Sequence, residues 1–151
     1  MESKITYFTR AENDYQFLKF AYDSGRTDDA MSYLAQSICE RFLKHVIDVF
    51  CSNIDTTAVL RTHSLRVLSK FLKKNLSDFI CDWDKVLKCE GYYFAARYPG
   101  NDAVEVDADD IQDCWQAVTE TRSRVTAYVE GRKKKKECAI SDAVAEKINS
   151  F

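Results

Sequence analysis

One proline and four glycines are all that punctuate this chain of 151 residues. Sheet proteins need many tight turns, and tight turns need residues that tolerate positive φ or preset a bend. A chain this poor in both is expected to be mostly helical. The proline and two of the glycines fall in one stretch, Gly91-Tyr92-Tyr93-Phe94-Ala95-Ala96-Arg97-Tyr98-Pro99-Gly100. Pro99 disfavours helical geometry at Tyr98, so a helix arriving through Phe94 is expected to end at or near Arg97. That places one cation and several rings at a helix end. Arg97 there can cap the negative end of the helix dipole. It can also meet a phosphate while the rings stack on a base. The sequence leaves both readings open, the cap being the commoner arrangement.

Apolar residues make up 46% of the chain and charged residues 30%, and the net charge is −2. The length suits one domain with one core. No whole-protein field draws it to nucleic acid or membrane. The six cysteines include no C-x-x-C pair, and neither His45 nor His63 clusters with them in sequence. No metal and no cofactor are therefore expected. With no run of about 18 apolar residues to span a bilayer and scattered cysteines that read as reduced thiols, the expected setting is cytoplasmic.

Apolar residues recur at three- and four-residue steps along most of the chain. Tyr7, Phe8, Ala11, Tyr15, Leu18 and Tyr22 make the stripe of a first helix, stopped by Asp23-Ser24-Gly25. Ala30, Leu34, Ile38, Phe42, Val46 and Val49 make the second, widened by Met31, Tyr33, Leu43, Ile47 and Phe50, with Thr27 or Asp28 as N-cap. A stripe this broad suits the central helix of a bundle. Thr62 is the expected N-cap of a third helix, with His63 in its first turn, Leu65, Leu68 and Leu72 on one face, and Arg66, Lys70, Lys73 and Lys74 on the other. Ser77 or Asp78 should open a fourth helix through Phe79, Ile80, Trp83, Val86, Leu87 and Phe94. Asp107 should cap a fifth, carrying Ile111, Trp115, Val118, Val125 and Val129, with Arg122 in a core-facing slot. Gly131 is expected to interrupt it before the Arg132–Lys136 cationic run and a last short helix, Ile140 to Ile148. The expected architecture is all-α, an up-and-down bundle of about five helices with a short C-terminal extra helix. Residues 1–131 form the bundle, and residues 132–151 are a basic segment and short helix packed on it or trailing from it.

Few groups suggest chemistry. Glu40 and Lys44 lie one turn apart on the apolar second helix, where a buried carboxylate needs a cation. Arg97 and Arg122 are the candidates, and Glu40 with Arg97 is the expected structural ion pair. His63 at a helix N-terminus would be held neutral by the dipole, free to accept a hydrogen bond or act as a base, or simply bonded locally. P-loop, GxGxxG and GxSxG patterns are absent.

Three short matches make the chain resemble the HEPN domains, a family of small helical bundles. Ala35-Gln36-Ser37-Ile38-Cys39-Glu40-Arg41-Phe42-Leu43-Lys44 is similar to the family's second helix, with its Gln, Glu and Lys. Thr62-His63-Ser64-Leu65 is similar to its Thr-His-(Asp or Ser)-Leu. Ala96-Arg97-Tyr98-Pro99 is similar to the Ala-Arg-Tyr-Pro that closes its fourth helix. The resemblance covers roughly residues 10 to 130. It implies a homodimer and often a nucleotidyltransferase partner. One branch of the family comprises metal-independent ribonucleases, including toxins of toxin–antitoxin pairs, which use an Arg followed after four to six residues by His. The other branch lacks that pair and is associated with nucleotide binding.

Here the positions that would carry the histidine after Arg97 are Asp102, Ala103 and Val104, so the ribonuclease motif is absent. The resemblance therefore implies a binding module for a nucleotide or for a nucleotidyltransferase partner. The alternative is an unconventional metal-independent ribonuclease acting on RNA. The residues expected to meet a ligand are Arg97, Tyr98, His63, Arg66 and Lys44.

Overall fold

The computed structural model describes residues 4–101 and 103–150. Asp102, the substitute proton acceptor considered above, lies outside the described residues, as does the side chain of Phe94. The fold is all-α, with no strand among the described residues. Helix α1 spans Tyr7–Asp23, α2 Asp29–Phe50, α3 Leu65–Asn75, α4 Trp83–Leu87, α5 Tyr92–Ala95 and α6 Ala108–Asn149. A 3-10 turn over Val59–Arg61 precedes α3.

Helix α2 is central. It packs along α1 and α6, and α3 and α5 lie against its remaining sides. Ile38, Phe42, Leu43, Val46 and Ile47 are fully enclosed, which is where its broad apolar face goes. Trp115 of α6 stacks on Tyr22 of α1 at 4.8 Å and on Tyr15 at 5.6 Å. Arg122 does not serve Glu40. It grips Glu12 of α1 with two hydrogen bonds, 2.8 and 2.6 Å, and its guanidinium covers Tyr15.

Several helix ends differ from expectation for local reasons. Thr6 caps α1 in a reciprocal box with Thr9. Asp28 stands at the N-cap of α2 without a side-chain bond to it, because its carboxylate is engaged by Arg26. Helix α3 starts later than expected. Ser64 is its N-cap, accepting from the Val67 N–H at 3.2 Å, while Thr62 accepts from the Ser64 N–H at 3.1 Å. His63 therefore lies just outside the helix. The expected fourth helix is two short ones. Asp82 caps α4, accepting from Lys85, and Gly91 at φ +91 breaks the chain before α5. That left-handed geometry is one a helix cannot hold.

Asp107 caps α6 as expected, in a reciprocal box with Asp110. The helix then runs for 42 residues, straight through Gly131, and the segment expected as a separate short helix is its final part. One exposed glycine costs a helix about 1 kcal/mol, too little to break it between strong formers. Arg132 ties the helix to the bundle. It donates to Tyr128 at 2.9 and 2.5 Å and to Asp78 at 3.1 Å. Beyond it, residues 133–150 are all exposed. The six cysteines are free thiols, and Cys138 alone is exposed.

Candidate functional site

The candidate site grows from one face of α2. Tyr33, Gln36, Glu40 and Lys44 fall within a narrow sector of that helix because they are spaced by three, four and four residues. Glu40 and Lys44 are buried. Lys44 Nζ lies 3.6 Å from Glu40 Oε2, and His63 Nδ1 lies 3.2 Å from the same oxygen. Glu40 Oε1 is enclosed with no hydrogen-bond partner among the described residues. Burial pushes the Glu40 carboxyl above its usual range, while the His63 hydrogen bond and the Lys44 charge pull it back. Gln36 Nε2 donates to the His63 carbonyl at 2.8 Å, fixing the segment that carries the imidazole. The His63 side chain is 47% exposed, so one side of the ring faces the buried carboxylate and the rest meets solvent.

Arg97 reaches the same face from the loop after α5. Its guanidinium carbon lies 5.4 Å from the Tyr33 ring centre and 5.5 Å from that of Tyr98. Helix α5 is a single turn, so its end offers Arg97 little dipole to cap. The partners described for Glu40 are Lys44 and His63, and a Glu40–Arg97 pair is not among the ion pairs of the described residues. Tyr98 is exposed and lines a hollow of about 480 Å³ with Gly91, Ala95 and Pro99.

The start of α3 is already occupied. Glu90, in the turn between α4 and α5, accepts from the Arg66 N–H and, at 3.3 Å, from the Ser64 hydroxyl. With the Val67 N–H bonded to Ser64, those first-turn donors are not open to a phosphate. The Arg66 side chain is exposed. Among the described residues, no group of three or more His, Cys, Asp and Glu could hold a metal.

The structure thus brings Arg97, His63 and Lys44 onto one line along α2, with Arg97 over Tyr33 and His63 over Glu40, about 10 Å apart along the helix axis. Arg66 stands outside that line, at the head of α3. Sequence alone places Gln36 in the family-like helix stretch without a site role, although its spacing from Glu40 signals a shared face. Glu90 carried no signal beyond that of a charged turn residue. Tyr33, which the sequence places on the apolar face of α2, supplies the ring beneath Arg97.

The central helix of this all-α bundle presents a Gln, a buried Glu and a Lys beneath a His and an Arg from two loops. The sequence matches the HEPN domain family over residues 6–130, and the chain belongs to that family. No match to a curated protein or to a solved structure was found. Among the described residues, no helix is long and apolar enough to cross a membrane.

Proposed function

We propose that this HEPN domain is a dimeric binding module for a nucleotide or for a nucleotidyltransferase partner, in a cytoplasmic setting. The observation that carries the reading is the alignment of Arg97 and His63 over the Tyr33–Glu40 face. Arg97 offers a planar fork to phosphate oxygens. The exposed ring of Tyr98, beside the hollow it lines, offers a surface on which a base can stack. His63, held by Gln36 and Glu40, supplies a directed imidazole at the other end of the line. Arg66 adds an exposed cation nearby. Lys44 acts through Glu40, its charge opposing the burial that pushes the carboxyl up.

A charge-assisted phosphate contact contributes about 1.5–3 kcal/mol. Arg97→Ala should therefore weaken binding of ATP or GTP by about tenfold to a hundredfold in calorimetry, while Lys135→Ala leaves it unchanged. An Arg97→Ala chain that binds as the wild type does would remove the site from this face.

The Glu40–His63 contact favours one second reading. A buried carboxylate that orients a half-exposed imidazole is the arrangement of a general base. With Arg97 on the phosphate, it could serve an unconventional ribonuclease. RNA cleavage in the presence of a chelator, lost in both His63→Ala and Arg97→Ala, would promote that reading over the binding module.

A further inference from the structure

Helix α3 holds no acid. It carries Arg66, Lys70, Lys73 and Lys74, all exposed, in a chain whose net charge is −2. The four cations fall within a sector of about 100° around the helix axis, away from the buried Leu65, Leu68 and Leu72. None of them is among the ion pairs of the described residues. Like charges three and four residues apart on a helix repel. The helix dipole accounts for Lys73 and Lys74 in the last turn. It opposes a cation in the first turn, where Arg66 stands, and does not reach Lys70.

An apolar groove adjoins this stripe. It lies between the segment after α2 and the outer side of α3, with a volume of about 670 Å³. Ile54, Val67 and Phe71 line it, and Lys70 and Lys74 form its rim. Ile54 is 38% and Val67 45% exposed. Around the α3 axis, Val67 follows Lys74 by about 20° and Phe71 follows it by about 60°, so apolar wall and charged rim are contiguous. Asp55 also borders the groove, and its carboxylate accepts from the Thr57 N–H at 2.9 Å.

We propose that this surface docks an acidic amphipathic helix of another protein. Its apolar side chains, at three- and four-residue spacing, enter the groove over Ile54, Val67 and Phe71. Acids along one flank of that stripe meet Lys70 and Lys74, which relieves the repulsion along α3 and fixes the sign of the partner. Nucleic acid fits the surface less well. Bases stack on open aromatic faces, whereas Phe71 and Trp83 are half-buried against the core and Lys73 Nζ lies 5.8 Å over the Trp83 ring. Lysine also lacks the fork with which arginine grips phosphate. A second copy of this chain does not supply the helix either. On the exposed arm of α6, residues 133–149, Asp142 and Glu146 lie on the side opposite Ile140, Val144 and Ile148.

The test uses the full chain and a synthetic helix of about four turns, with Leu at three- and four-residue spacing and Glu along one flank. Fluorescence anisotropy should show this peptide binding, and the same residues in scrambled order should bind at least about tenfold more weakly. Lys70→Glu with Lys74→Glu should weaken the Glu peptide at least about tenfold and should gain affinity for a peptide with Lys at each Glu position. Val67→Gln should weaken the Glu peptide while the thermal transition is retained. No binding of the Glu peptide, equal binding of the scrambled one, or unchanged affinity in the charge-reversed variant overturns the proposal. So does a single-stranded oligouridylate that binds more tightly than the Glu peptide and is lost in Lys70→Glu with Lys74→Glu, which would assign the surface to nucleic acid.

Discussion

The carboxylate of Glu90 accepts from the N–H of Arg66, so a turn between two short helices caps the head of a third. An acid at a helix N-terminus satisfies free donors and complements the positive end of the dipole.

Glu90→Ala should cost about 1 kcal/mol, the usual loss for an N-terminal cap, and lower the melting temperature by about 2–4 °C. The same change uncovers the Arg66 N–H for an external anion. Sulfate or phosphate should therefore raise the melting temperature of the variant more than that of the wild type. Equal shifts in the variant and the wild type would show that Glu90 does not fill an anion site.

Glu40 and Lys44 should behave as a coupled unit. Each is buried, and removing either leaves a charge enclosed with less compensation. Glu40→Gln and Lys44→Met should each cost about 3 kcal/mol in urea unfolding. The double variant should cost clearly less than the two together, because no orphaned charge remains. Additive losses would mean that the pair is stabilised separately, with His63 the true partner of Glu40.

His45 predicts an acid limit to stability. Its Nδ1 is enclosed without a hydrogen-bond partner among the described residues, and burial holds the imidazole below its usual value of 6.5, opposed by the charge of Asp48. The unfolded chain therefore binds a proton that the folded chain refuses. As pH falls through 6.5 toward the depressed folded value, the unfolded state gains protons first and stability drops. His45→Gln should flatten that part of a stability–pH curve. An unchanged slope in His45→Gln would assign the acid limit to other groups.

The bundle was legible because its apolar stripes are long and its stops are rare. Asp107 and Pro99 act where their chemistry says they should. The breaks were harder. From Phe79 to Phe94 the apolar spacing fits one continuous helix, but α4 spans only Trp83–Leu87, and the left-handed Gly91 separates it from α5. At the head of α3, Thr62 and Ser64 both carry hydroxyls, and only geometry decides which reaches the Val67 N–H. Gly131 misled in the opposite direction, because an exposed glycine in a helix is a modest cost that flanking residues absorb. In the site, Arg97, Glu40 and His63 could be singled out from residue type and position. Their relation could not, since Arg97 lies 57 positions beyond Glu40 in the chain. Where a long side chain lands depends on loops that no periodicity describes.

The burial of five of the six thiols gives the molecule a counter of its own folding state. Cys81, whose thiol burial pushes up to about 12, and Cys89, pushed well above its usual range, are shielded twice, by packing and by the scarcity of thiolate. Cys138 stands alone on the arm in solvent. An alkylating reagent should therefore consume one equivalent on the native chain and six on the unfolded one. Each intermediate stoichiometry would report which part of the bundle has opened.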